Sequence, residues 1–508
     1  MRVKNSVKNI TFSIISNLLT ILIGFITQAI FIKTLNTEYL GINGLFKNII
    51  SMLSIAELGI GSAIIYHLYK PVAENDKEKI KSLLKLYKKC YITIALIVLF
   101  ISLILIPFLG KIVGNIEIKE SIIIIYMLFV IDSVCSYLIS YKRSILYVHQ
   151  KNYYINIIHI ICYILLNILQ TIILIKFKNY YLYLLLKIIF NLIENLIISK
   201  YASHKYKYID EKNVKSLDED IIKDIKQKVK SLFIHKMGGF FVKGTDNIII
   251  SMFIGIKTVG LYSNYSLIIS ALTSLIGQVF SPLIASVGNL LVTSNTEKKY
   301  EVYKKIEFFN FWITSFCSIC LLVIIKPFII IWIGEEYLLS DFTVIVLVIN
   351  FYFQILRYRT NIFKEAAGIF YEDRFIPIFE SIINIVSSLI LVKLIGLPGV
   401  FIGTILSNFL LIFYSHPKYV YEKIFKRKYI TYLISTIKYF ITFVSIAIVV
   451  YILSSIIVID DIYIDFIYKT ALTMILTNLL LILLFRKTEE FKYFIKLICK
   501  KLGVKNEK

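Results

Sequence analysis

The sequence predicts an all-α polytopic membrane protein: 14 transmembrane helices, in two six-helix lobes related by an internal repeat, plus two C-terminal helices. Three observations carry that prediction. Of the 508 residues 58% are hydrophobic and the mean hydropathy is +0.76, more than a soluble core needs. The apolar residues fall in fourteen runs, most near the roughly 20 residues that cross a bilayer's hydrocarbon core. Basic residues crowd into every second connection, as the positive-inside rule requires.

The runs are 10–32, 41–66, 91–110, 121–140, 153–175, 181–199, 232–254, 259–294, 307–332, 342–363, 375–392, 399–415, 430–455 and 465–485. The first is too long for a signal-peptide core and no small-residue cleavage site follows it, so it reads as a retained helix. Run 259–294 exceeds one crossing and holds Pro282, which predicts a kink or a cytoplasmic extension. With the N-terminus inside, the inner connections hold 41 Lys and Arg and the outer ones 7. Both termini are therefore expected in the cytoplasm. The +24 net charge becomes a topology signal with attraction to anionic headgroups, not a nucleic-acid surface. The outer connections have ten residues or fewer and leave no room for an extracytoplasmic domain. The longest inner connection, 200–231, reads as the linker between an N-terminal lobe (1–199, helices one to six) and a C-terminal lobe (232–415, helices seven to twelve). Ser216 is expected to cap a short helix in it. Residues 416–508 supply the last two helices and a basic cytoplasmic tail.

A repeat supports the division. At a shift of 219 residues Gly41 meets Gly260, and Ile49, Ile50, Ser51 and Leu53 meet Ile268, Ile269, Ser270 and Leu272; ILIPF (104–108) meets IIKPF (324–328) at a shift of 220. Six helices separate the copies, an even number, so both copies share one orientation, as in transporters built from parallel repeats.

Charge inside the runs locates candidate function. A charged residue at the centre of a spanning helix costs roughly 2.5–3.5 kcal/mol on insertion scales and persists by facing a partner, a wet cavity or a substrate. In the seventh run Lys236, Gly239, Lys243 and Asp246 fall at 0, +3, +7 and +10, one helical face. His235 lies nearer the inner surface. In the second run Lys47, Ser51, Ser54 and Gly61 form a stripe with Glu57 beside it. The fourth carries Asp132, Ser136 and Ser140, the sixth Lys187, Asn191 and Glu194, and the tenth Asn350, Gln354 and Arg357. The eighth opens GLYSNYSLIIS, with Asn264 between Tyr262 and Tyr265. Plainer readings stand beside these. Lys326, Lys438 and Lys469 snorkel to the headgroups, as do Arg357 and Arg359 on one reading. Lys187 with Glu194, and Lys243 with Asp246, are internal pairs. Cys317 and Cys320 have CxxC spacing in a spanning run without a second ligand pair, which favours packing over metal or redox chemistry. No GxxxxGK[ST], HExxH or locatable Ser/His/Asp set is present, so no ATPase, metalloprotease or hydrolase is indicated.

Four stretches, NTEYLGINGLFKNIISMLSIAELGIGSAI (36–64), HKMGGFFVKGTDNIIIS (235–251), GLYSNYSLIIS (260–270) and EAAGIFYEDRFIPIFESIINIVSSLILVKLIGLPGVFIGTILSN (365–408), give the chain its family likeness. It resembles the bacterial polysaccharide flippases of the multidrug/oligosaccharidyl-lipid/polysaccharide exporter superfamily. The resemblance implies a V-shaped alternating-access transporter of the bacterial inner membrane, not an enzyme. It would flip a polyprenyl-(pyro)phosphate-linked oligosaccharide to the outer leaflet. A central cavity lined by helices one, two, seven and eight would hold Lys47, Glu57, Lys236, Lys243, Asp246 and Asn264. The lysines would grip the carrier's phosphates, while Asn264, Tyr262 and Tyr265 would meet sugars. Proton or sodium exchange through Glu57 or Asp246 would reset the carrier. No other cofactor is implied. Membrane lipids, a polysaccharide polymerase and glycosyltransferases are the implied partners. A multidrug or cation exporter and a peptidoglycan-precursor flippase of the same superfamily are the alternatives, with a membrane polymerase or ligase further off.

Overall fold

The computed structural model describes residues 2–501 apart from 58, 115, 212, 370, 371 and 458, with the side chains of 2–7, 10, 55, 56, 231, 232, 234–243, 498, 500 and 501 left aside. Among these residues every regular element is helical. The chain forms two compact units, Met1–Leu267 and Ile268–Lys508.

The first unit runs α1 (Arg2–Thr34), α2 (Thr37–Leu53), a 3₁₀ turn (Ser54–Glu57), α3 (Ile60–Glu74), α4 (Lys77–Leu105), α5 (Leu109–Val113), α6 (Ile122–Ser140), α7 (Arg143–Val148), α8 (Asn152–Phe177), α9 (Tyr180–Lys205), α10 (Glu219–Gly244), α11 (Asp246–Phe253) and the start of α12 (Ile256–Phe280). The second unit continues through α13 (Leu283–Thr293), α14 (Thr296–Trp332), α15 (Asp341–Leu356), α16 (Tyr358–Ala366), α17 (Ile376–Ile395), α18 (Leu397–Leu410), α19 (His416–Tyr419), α20 (Ile430–Ile456), α21 (Ile462–Phe485) and α22 (Glu489–Lys501).

Twelve helices or helix pairs among the described residues are long and apolar enough to cross a membrane. They coincide with twelve of the fourteen apolar runs. The other two runs, 41–66 and 232–254, are interrupted helices: α2 gives way to α3 at 54–59, and α10 gives way to α11 at Thr245. The chain is thus a multi-pass membrane protein whose second and seventh crossings are discontinuous. Gly59 takes φ +96° at the first break, a conformation open to glycine and strained for other residues. The long eighth run divides at Ser281–Pro282 between α12 and α13, where proline removes a donor and ends the helix. Between α18 and α19, and again after α19, the backbone widens into π turns at Leu411–Ser415 and Val420–Phe425. Pro417 lies between them and cannot donate to the ladder, which accounts for the irregularity there.

The linker differs from its expected form. No short helix starts at Ser216; α10 begins at Glu219 and continues into the seventh run. The segment before it is anchored to α4: the Lys81 ammonium pairs with Glu211 at 2.8 Å and Ser82 Oγ donates to the Lys215 carbonyl at 2.7 Å. Ile209 and Leu217 pack against the buried core of α3, α4, α7 and α9.

Candidate functional site

Three polar stripes that the sequence places on separate helices meet in one cavity of the first unit. α2 contributes Lys47 and Ser51, the 3₁₀ turn after it Ser54, α6 contributes Asp132, Ser133 and Ser136, and α9 contributes Lys187 and Asn191, around a volume of about 250 Å³. The four-residue spacing of each stripe repeats every helical turn, so each helix can present several polar groups to the same space. Lys187 Nζ lies 3.0 Å from Asp132 Oδ2 and remains 40% exposed. Asn191 Nδ2 donates to Asp132 Oδ1 at 2.8 Å, and Asn195 Nδ2 donates to Asn191 Oδ1 at 2.8 Å. The Lys187 ammonium also rests 5.0 Å from the centre of the Phe129 ring. Asp132 is therefore engaged on both oxygens. Lys47 is exposed at the cavity, and among the described residues no carboxylate pairs with it. The cavity holds two ammonium groups against one carboxylate, an excess of positive charge in low-dielectric surroundings.

This arrangement corrects one expected pairing. Lys187 does not pair with Glu194. Seven residues along one helix are separated by about 10.5 Å of rise, farther than an ion pair reaches, and neighbouring helices supply nearer partners. Glu194 accepts from Arg143 Nη2 at 2.8 Å and sits 3.0 Å from His159 Nδ1. Arg359, expected to snorkel, is instead 0% exposed and pairs with Glu307 at 3.0 Å. Arg357 donates to Asn408 Oδ1 at 2.7 Å. Lys326 pairs with Asp341, and Lys469 with Asp465 at 2.8 Å.

Glu57 stands apart from the cavity, at the break between α2 and α3. Tyr91 Oη donates to Glu57 Oε1 at 2.6 Å, and the Tyr87 and Tyr91 hydroxyls are 3.0 Å apart. Gly61 permits this chain: a Cβ there would sit 2.7 Å from Tyr87 Oη. Asp246 opens α11, and its Oδ1 is buried without a hydrogen-bond partner among the described residues. Thr245 stands between Asp246 and α10, the helix that carries Lys236 and Lys243. Both lysines lie on α10 with His235, but their side chains are outside the described residues.

Asn264 and Tyr265 are fully buried. Asn264 Oδ1 accepts from Gln28 Nε2 at 2.6 Å, tying α12 to α1. Tyr262 is half-buried on the same helix. Nearby, α2 and α12 cross with two glycines in contact with opposing carbonyls, Gly41 with Ile256 O and Gly260 with Thr37 O. The 219-residue shift exchanges Thr37 with Ile256 and Gly41 with Gly260, so the two contacts are repeat-mates. Gly44 and Ser263, related by the same shift, face each other directly, since a Cβ on Gly44 would lie 2.9 Å from Ser263 Oγ.

The cavity's Asp132–Lys187–Asn191 grouping was legible only as separate stripes on two helices; nothing in spacing says which helices converge. A larger cleft of about 890 Å³ lies between α14 and α22. Its charges largely pair among themselves, Lys298 and Lys305 with Glu301 and Lys492 with Glu489, leaving little demand for a ligand. The six cysteines are free, and no cluster of metal-ligating side chains occurs among the described residues.

Comparison with known proteins places this architecture. The chain's fold is similar to that of the lipid II flippase MurJ in an inward closed conformation, at TM-score 0.66 and 14% identity over 94% of this chain and 99% of that one. It is also similar to an inward-facing multidrug resistance MATE family transporter of the MOP superfamily, at TM-score 0.59 and 14% identity over 78% and 92%. A third similar structure is a point mutant of the Vibrio cholerae MATE transporter VcmN, at TM-score 0.57 and 12% identity over 80% and 93%. No curated protein matches in sequence. The sequence model of the polysaccharide biosynthesis protein family matches residues 6–287, more than half of the chain and all of the helices that line the cavity, and the protein belongs to that family.

Proposed function

We propose that the protein is a transporter, not an enzyme, that flips a polyprenyl-(pyro)phosphate-linked oligosaccharide from the cytoplasmic to the outer leaflet of a bacterial inner membrane, for cell-surface polysaccharide synthesis. The observation that carries this is the cationic cavity of the first unit, in a chain of the polysaccharide biosynthesis family. At about 250 Å³ it is smaller than the roughly 300–1,000 Å³ of typical small-molecule sites. That volume suits a phosphate group and not an oligosaccharide. Lys47 would take the phosphate directly. Lys187 would stay with Asp132 in the empty carrier and turn to the anion when it arrives.

Both termini face the cytoplasm in this reading, residues 1–199 and 232–415 act as the two lobes, and transport proceeds by alternating access. The substrate drives the change only through different affinity for the two states. With the inside negative, exporting an anion is favourable by about 2.3 kcal/mol per charge at 100 mV. Glu57 or Asp246 would carry the proton or sodium ion that resets the carrier, and Lys236 and Lys243 would extend the cationic path. Tyr262 offers a ring to a sugar more readily than Asn264 or Tyr265, which are buried. Glycosyltransferases would act before it and a polymerase after it.

The test is flipping of a fluorescent lipid-linked oligosaccharide in proteoliposomes. Lys47→Gln and Lys243→Ala should each lower the rate at least tenfold, about 1.4 kcal/mol in the barrier, while membrane insertion is unchanged. Undiminished flipping by both variants would remove the phosphate-gripping role. Transport of cationic drugs in place of the glycolipid would favour the multidrug alternative.

A further inference from the structure

Three chain segments of the first unit bring lysines and aromatic rings together. They are the start of α1, the α7–α8 connection and the end of α9. Lys151 Nζ donates to Tyr206 Oη at 2.8 Å, and Lys205 Nζ donates to Tyr201 Oη at 3.2 Å. Lys205 also lies 5.0 Å from the centre of the Tyr154 ring, and Lys8 lies 5.3 Å from that of Tyr153. His149 stacks on Tyr206 with 4.3 Å between ring centres. Burial and then the Lys205 charge lower the proton affinity of Lys151. Among the described residues none of these lysines pairs with a carboxylate, although the adjacent Lys142 and Arg143 both do. Like charges held together raise each other's energy, and this cluster keeps its lysines in place with hydroxyls and rings, which do not neutralise them.

We propose that the Lys151–Lys205 cluster is a binding site for the phosphate of an anionic lipid of the cytoplasmic leaflet. The depth is right under the orientation proposed above, on which this inference rests: all three segments lie at cytoplasmic ends of spanning helices, where tyrosine and lysine meet headgroups. The face of α8 that starts with Tyr154 returns seven residues on at Ile161 and continues as Leu165, Ile168 and Ile172 at three- and four-residue steps, these four all exposed. An acyl chain can follow that stripe while its headgroup sits on the cluster, which a free anion cannot do. The site lies on α1, α8 and α9 and does not include the cavity of Lys47.

Native mass spectrometry of the purified protein in detergent tests this. Dioleoylphosphatidylglycerol, dioleoylphosphatidylcholine and inorganic phosphate serve as separate probes. Two basic residues at a membrane surface supply roughly a thirtyfold preference for anionic lipid. Lys151→Gln with Lys205→Gln should lower phosphatidylglycerol retention by about that factor, leave phosphatidylcholine unchanged, and be rescued by Lys151→Arg with Lys205→Arg. If the double variant does not survive purification, the exposed Lys205→Gln alone should lose about fivefold, the share of one basic residue. Equal phosphatidylglycerol retention by wild type and variant would overturn the proposal. So would inorganic phosphate displacing the lipid at equal concentration. Neither readout depends on transport, so the site can fail while the flippase assignment holds, and the reverse.

Discussion

Arg359 and Glu307 show why charge in an apolar run is not by itself a functional mark. Both are fully buried in the second unit, and the pair is completed by Thr436, which accepts from Arg359 Nη2 at 2.6 Å, and by the Tyr432 ring, 4.6 Å away. Removing one partner of a buried pair leaves an uncompensated charge and costs about 3–5 kcal/mol. Arg359→Ala should lower unfolding free energy in detergent by that amount, and Arg359→Ala with Glu307→Ala should cost less than the single change. His149 makes a second test at this scale. Burial, then the charges of Lys151 and Lys205, push its imidazole down to about 4, with the Tyr206 ring stacked on it. Above pH 6.5 it is neutral both folded and unfolded. Below 6.5 the unfolded chain takes up a proton that the folded chain refuses, so stability falls from pH 6.5 to about 4 and then levels. A melting midpoint measured against pH in zwitterionic detergent should show that decline, and His149→Phe should flatten it. Neither behaviour could be read from the sequence, because a side chain's partners on other helices decide it. The same limit explains Lys187, for which Glu194 on its own helix looked nearer than Asp132 on another.

The helices themselves were largely visible in advance: among the described residues twelve of the fourteen apolar runs coincide with helices long and apolar enough to cross a membrane, and the other two are interrupted helices. What hydropathy missed were the interruptions at 54–59 and at Thr245, because SIAELG and GTD leave the apolar sum of their runs almost unchanged. Discontinuous helices expose backbone groups at membrane depth, and such breaks in transporters border binding sites. The one at 54–59 brings Glu57 to Tyr91. The crossing of α2 and α12 was half visible: the repeat aligned Gly41 with Gly260, but not that each glycine would press on a carbonyl of the other helix. An added methyl must push those helices apart, because the obstacle is backbone and not the end of a flexible side chain. Gly41→Ala and Gly260→Ala should each cost about 1–3 kcal/mol, the usual range for overpacking. Gly288→Ala on α13, where nothing lies within 4 Å, should be neutral or stabilising by up to about 1 kcal/mol. Melting in detergent separates the two classes, and equal effects at all three glycines would mean the close crossing carries no strain.

At the scale of the whole molecule the sequence speaks through bookkeeping of charge, not through any one residue. The expected contrast of 41 inner and 7 outer basic residues would act during insertion, when each short connection is retained or translocated according to its Lys and Arg. No packed site need exist for it to operate, so the sequence yields an expected topology where it yields no cavity. The strongest internal check compares two connections flanking the same helix. α14 begins beside Lys298, Lys299, Lys304 and Lys305, and ends before 333–341, which has no basic residue and carries Glu335 and Glu336. In a cysteine-free background, Glu336→Cys should react with a membrane-impermeant maleimide added to intact cells, and Lys298→Cys should react only after permeabilisation. The reverse pattern would invert every helix and move the Lys151–Lys205 cluster to the outer surface. The cargo's phosphate would then have to approach the Lys47 cavity from the opposite leaflet. Exchanging charge across α14, with Lys298, Lys299, Lys304 and Lys305 changed to Gln and four lysines placed in 333–341, should weaken the orientation of this helix while leaving its apolar length intact. Mixed labelling at both positions is the expected result, because a single helix in the middle of the chain is opposed by the charges of all the others.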